Sequence, residues 1–87
     1  MEQQPVLLGF HALSEPLRIQ IINLLKDGEL CVNDICQALN VPQSKISFHL
    51  KTLKDSGLLS ISKQGRRVYY RLNETQFSLL EDFLSAY

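Results

Sequence analysis

Two thiols and a run of cations are the residues in this chain whose types and spacing could do chemistry. Cys31 and Cys36 are its two cysteines. Thiolates are soft ligands and select soft ions. A thiol near a helix N-terminus ionises more readily, because the helix dipole favours the anion. Five residues along a regular helix turn through about 500°, which sets two side chains about 140° apart. One ion can therefore hold both sulfurs only if Cys31 precedes the helix or the first turn unwinds. The same pair could close as an oxidant switch, or stand as two small buried apolar residues with no ligand role.

The cations form a positive centre between acidic ends. Residues 43–71 hold Lys45, Lys51, Lys54, Lys63, Arg66, Arg67 and Arg71 against one acid, Asp55, a net of +6. Residues 1–42 and 72–87 each carry a net of −3, so the chain as a whole is formally neutral. Phosphate responds to the local field rather than to the total. Gln43, Ser44, Lys45, Ser47 and His49 bring hydrogen-bonding groups suited to base edges in a DNA groove. Lys51, Arg66 and Arg67 suit backbone phosphates. There is no phosphate-cradling glycine loop, paired-carboxylate site or nucleophile-triad pattern, so an enzyme is not expected.

The elements that must position these groups can be read from periodicity. Ile46, Leu50 and Leu53 recur at spacings of four and three, the stripe of an amphipathic helix. Pro42 suits its first turn and Gly57 its exit. Upstream, Val6–Leu13 reads as a short, strongly apolar helix. Ser14 is placed to cap the next helix, with Leu17, Ile21, Leu24 and Leu25 as its core stripe. Glu29–Val32 extends briefly, and Asn33 or Asp34 caps a short helix through Leu39, with Ile35, Ala38 and Leu39 inward. Asn40-Val41 then makes the turn of a helix-turn-helix. Beyond Gly57 the period changes to two. Leu59 and Ile61 alternate with serines, and Val68, Tyr70 and Leu72 alternate with Tyr69 and Arg71, around the basic tip Lys63-Gln64-Gly65-Arg66-Arg67. That is a β-hairpin, and directly after a helix-turn-helix it is a wing. Asn73 and Gln76 have capping-box spacing at the start of a last helix that is apolar on two faces.

The expected architecture is one mainly α domain over 1–87 with a β-hairpin wing, in the order α-α-α-α-β-β-α. So small a core gains from a partner subunit, and segments 1–13 and 74–87 are the expected dimerisation helices. No apolar run is long enough to span a membrane, no basic secretory leader is visible, and two free thiols suit a reducing cytoplasm.

Several segments, taken in order, resemble the ArsR/SmtB-type metal- and metalloid-responsive transcriptional repressors. They are Ala12-Leu13-Ser14-Glu15-Pro16-Leu17-Arg18, Glu29-Leu30-Cys31-Val32-Asn33-Asp34-Ile35-Cys36, Ser47-Phe48-His49-Leu50-Lys51-Thr52-Leu53, Ser56-Gly57-Leu58, and Gly65 through Leu72. The resemblance implies a dimeric winged helix-turn-helix protein that binds an operator when free and leaves it when an inducer binds. It places the DNA-reading helix on Gln43–Ser56 and the family's Ser-x-His-Leu element on Ser47, His49 and Leu50. Phe48 occupies a place often polar or basic in relatives, where it could touch a thymine methyl or pack on a neighbour. The arsenical members carry a third cysteine two places after the first, where this chain has Asn33. Arsenite or antimonite bound by Cys31 and Cys36, completed by solvent or a small thiol, is the inducer that the resemblance implies; no cofactor is required. The last helix has no histidine, so the zinc site some relatives place there is not expected. The alternatives are a thiol redox switch, a repressor with no inducer site, or a winged helix used only for protein contacts.

Overall fold

The computed structural model describes residues 4–87. In chain order these form α1 (Gln4–Ala12), α2 (Pro16–Leu25), β1 (Leu30–Cys31), α3 (Val32–Leu39), α4 (Gln43–Asp55), β2 (Leu59–Gln64), β3 (Arg67–Leu72) and α5 (Glu74–Ser85). The expected order holds, with one addition. The short extension before α3 is a true strand, because β3 offers it a free edge: Leu30 lies opposite Tyr70 and Cys31 opposite Tyr69. The sheet is antiparallel, in the order β1-β3-β2.

The core lies where the apolar spacing predicts it. Ile46, Leu50 and Leu53 of α4 are fully buried with Ile21 of α2, Ile35 of α3 and Leu58. Leu25, Leu59 and Leu80 close the cluster. Leu39 packs on it as expected, but Ala38 is exposed, and Cys36 joins the partly buried flank of α3 in its place. Gly57 follows the C-cap Ser56 with φ +87°, the positive value a glycine after a helix supplies without strain. Its carbonyl accepts from Asn73 Nδ2 at 2.9 Å, which fastens the exit of α4 to the start of α5.

Three caps differ from expectation, each for a reason in the tertiary structure. Glu15, not Ser14, caps α2, its carboxylate accepting from Leu17 N at 2.9 Å, while Ser14 Oγ donates back to His11 O and closes α1. Cys31, not Asn33 or Asp34, is the N-cap of α3, because strand pairing with Tyr69 holds it extended. Asn73 starts α5, but no capping box forms: Asn73 is taken by Gly57, and Gln76 Nε2 donates to Pro5 O at 3.2 Å.

The hairpin turns on two residues, Gly65-Arg66, between the paired Gln64 and Arg67. Gly65 has φ +66° and Arg66 does not have a positive φ, the pattern of a type II′ turn with glycine first. The expected five-residue tip is thus shorter, with Lys63, Gln64 and Arg67 inside the strands. At the other end of the molecule α1 packs on α5. Phe10 meets Phe83 edge-on at 5.8 Å, and a Cβ on Gly9 would lie 2.8 Å from Leu80 Cδ2, so only glycine permits this approach with Leu80 as it stands. Of the two segments expected to dimerise, residues 1–3 lie outside the described residues.

Candidate nucleic-acid interface

α3, the Asn40-Val41 turn and α4 form the helix-turn-helix. Asn40 makes the turn in the left-handed conformation (φ 54°, ψ 49°), which asparagine tolerates better than most residues. The buried stripe of α4 fixes which of its residues face outward. Gln43, Ser44, Lys45, Ser47, Phe48, Lys51 and Lys54 are all exposed. Lys51 is held at 2.9 Å by Asp55, four residues on and also exposed, an ion pair that a phosphate can replace at little cost.

His49 departs from this set. Its residue type and its place in the reading helix predict a groove contact, but only 6 % of it is exposed and it faces the core side of α4. Its Nδ1 accepts from Arg18 Nε at 3.1 Å, and Arg18 Nη1 also reaches Ala12 O at 3.4 Å. One guanidinium therefore ties the end of α1 and the body of α2 to the back of the reading helix. In this structure His49 ties α4 to α2 through Arg18 and offers little surface to the outward face of the helix. The sequence carries a signal for this, because His49 lies three residues after Ile46 and four before Leu53, on the apolar stripe itself.

The wing stands beside the start of α4. Arg66 and Arg67 share one hollow of about 260 Å³ with Gln43, Asn33, Val32, Val68 and Cys31. The thiol, the first residue of α4 and the tip of the wing thus line a single polar concavity. Arg71 does not belong to it. Its Nε donates to Ser60 Oγ at 3.3 Å, and it lines the far end of the hairpin near Glu74 and Glu29.

Around the thiols the arrangement is specific. Asp34 Oδ2 accepts from both Cys31 N at 3.2 Å and Cys31 Sγ at 3.1 Å. This is the reach-back half of a capping box, with the acid in the first turn where the helix dipole favours it. The Cys31 thiol bond, then the Cys31 N–H bond, and lastly the charge of Arg67 hold the Asp34 carboxyl below its ordinary value. A carboxyl depressed in the folded state contributes stability above its unfolded pKa, about 3.9. That contribution is lost as pH falls from there through the lower folded value. Asp34→Asn should therefore flatten the acid limb of thermal stability below about pH 4, with melting temperature against pH as the measurement. An unchanged limb would show that Asp34 does not hold the cap.

Cys31 stands ahead of the helix, as a shared two-thiol site requires, while Cys36 is half-buried against the core. Among the described residues no group of three His, Cys, Asp or Glu gathers as a metal site. No helix among the described residues is long and apolar enough to cross a membrane.

Similarity to known proteins gives this geometry its context. Residues 15–60, from the cap of α2 to the second residue of β2, match the profile of the bacterial regulatory proteins of the arsR family. The arsenical resistance operon repressor of Escherichia coli (strain K12) is 51% identical over 65 residues, covering 74% of this chain and 56% of that protein. The transcriptional repressor SdpR of Bacillus subtilis (strain 168) is 39% identical over 66 residues, covering 76% of this chain and 73% of that one. A homodimeric winged helix-turn-helix DNA-binding domain from Mycobacterium bovis, solved by NMR, superposes with a TM-score of 0.79 at 31% identity, over 94% of this chain and 77% of that one. The chain thus spans little more than half the length of its Escherichia coli relative. Sequence and fold agree: this chain belongs to the arsR family of bacterial transcriptional regulators, which are not enzymes.

Proposed function

We propose that the chain binds operator DNA as a homodimer, represses transcription there, and is released by a thiol-binding inducer, arsenite or antimonite, at Cys31 and Cys36. The observation that carries the DNA-binding half is the hollow that joins Gln43 of α4 to Arg66 and Arg67 of the wing. Gln43, Ser44, Lys45 and Ser47 make the groove contacts; Lys51, Arg66 and Arg67 take phosphates. The homodimeric Mycobacterium bovis domain supports the two-fold arrangement, in which two reading helices address two half-sites. α1 and α5, each with outward apolar residues, supply the subunit interface.

The inducer half rests on Cys31 and on the arsenical repressor of Escherichia coli among the relatives. Arsenite supplies a soft centre that bonds thiol sulfur. Each As–S bond replaces one arsenite hydroxyl, which leaves as water with the thiol proton, so engagement of the Cys31 sulfur ends its S–H···O bond to Asp34. The cap of α3 is then weakened, and α3 leads through a short turn into α4. A small shift of α3 suffices, because two reading helices that lose their spacing no longer fit one operator. A protein with free thiols and DNA as its partner fits the reducing cytoplasm.

The test is fluorescence anisotropy of a duplex selected from a random library, with reduced protein titrated by arsenite. Release is expected for the wild type and abolished in Cys31→Ser and Cys36→Ser. Undiminished release in both variants removes the cysteines from the mechanism. Release by diamide but not by arsenite makes thiol oxidation the trigger.

A further inference from the structure

Phe48 is the one large apolar side chain on the outward face of α4, and 62 % of it is exposed. Its ring does not pack into the protein; its aromatic contact is with the adjacent His49, edge-on at 5.2 Å. Its neighbours one helical turn away are Ser44, Lys45, Lys51 and Thr52. All four are polar, two are cationic, and none extends the ring into an apolar patch. Apolar surface for a protein partner comes as a contiguous area. A single ring among polar side chains, with Lys45 and the Asp55-paired Lys51 beside it, instead matches a polyanion whose interior edge carries isolated methyl groups. Duplex DNA has that character, because thymine presents its C5-methyl in the major groove among phosphates and hydrogen-bonding edges.

We infer that Phe48 is a specificity-determining residue that reads a thymine methyl group in each operator half-site. This rests on the DNA-binding reading given above. The flanking side chains divide the work: Ser44, Ser47 and Lys45 reach polar base edges, Lys51 reaches phosphate, and Phe48 covers the methyl. The ring contributes nothing to the phosphate contacts, so its removal should change which sequence is bound more than how strongly DNA is bound in general.

The experiment selects duplexes from a random library with wild-type protein and with Phe48→Ala, a substitution at an exposed position that leaves the core untouched. Each thymine of the wild-type site is then replaced in turn by deoxyuridine, which removes the methyl alone. One thymine per half-site is expected to be invariant for the wild type and free to vary for Phe48→Ala. Deoxyuridine there should weaken wild-type binding about fourfold in one half-site, the worth of one buried methyl, and about fifteenfold in both. Phe48→Ala should not respond to the change, while Phe48→Leu, still apolar, should keep part of the response. Equal deoxyuridine effects on wild type and Phe48→Ala, or none at any thymine, overturn the inference while leaving DNA binding intact. Wild-type protein that binds no duplex at low salt overturns the DNA-binding reading and this inference together.

Discussion

Leu84→Glu is expected to leave the chain monomeric and to weaken operator binding by about 10²–10⁴-fold, the range by which two linked contacts exceed one. Leu84 on α5 is 59 % exposed and Leu7 on α1 is 68 % exposed, and Leu8 and Leu79 add to the same pair of packed helices. A lone exposed leucine needs no explanation, but several on two adjoining helices give the proposed dimer an apolar surface to cover. In a two-fold interface each substitution acts twice, so one glutamate buries two unpaired carboxylates. Sedimentation should give the 10.0 kDa mass of one chain for the variant and twice that for the wild type. A dimeric variant with undiminished DNA affinity would place the interface elsewhere.

The second large effect belongs to the back of the reading helix. Leu53→Ala should destabilise the fold by about 2–5 kcal/mol, the cost of a large cavity at a fully buried leucine. A small domain has only about 5–15 kcal/mol in all, so this is a substantial share of it. The effect should reach the proposed DNA binding as well, because Leu53 with Ile46 and Leu50 fixes which side of α4 faces outward. Urea unfolding should show a lower midpoint with an unchanged slope. A destabilisation under about 1 kcal/mol would mean that α4 is not held by this stripe.

Local pattern makes much of this fold legible in the sequence. The spacing of Ile46, Leu50 and Leu53, the alternation either side of Gly65, and Gly57 after α4 are all local features, and each matches the element observed. What is not legible depends on distant partners. His49 is claimed by Arg18, thirty-one residues away, and no window along the chain joins them. Asn73 and Gln76 have capping-box spacing, but Gly57 O and Pro5 O take their side chains. Cys31 caps α3 because β3 holds it extended, a consequence of sheet closure rather than of its neighbours. In the interface, charge and exposure agree for Lys45, Arg66 and Arg67, whereas Arg71 faces the other end of the hairpin. Counting charge along the chain cannot separate the two groups, because the strand carries its cations to both ends of the wing.

That α4 and the wing make one surface for duplex DNA is tested most directly by the salt dependence of binding. Wild-type affinity for a selected duplex should fall with a log–log slope of about −0.9 per neutralised phosphate. Arg66→Ala with Arg67→Ala should make that slope shallower by about 0.9 for each phosphate no longer neutralised. Absence of binding at low salt, or a slope that both arginine substitutions leave unchanged, would contradict it.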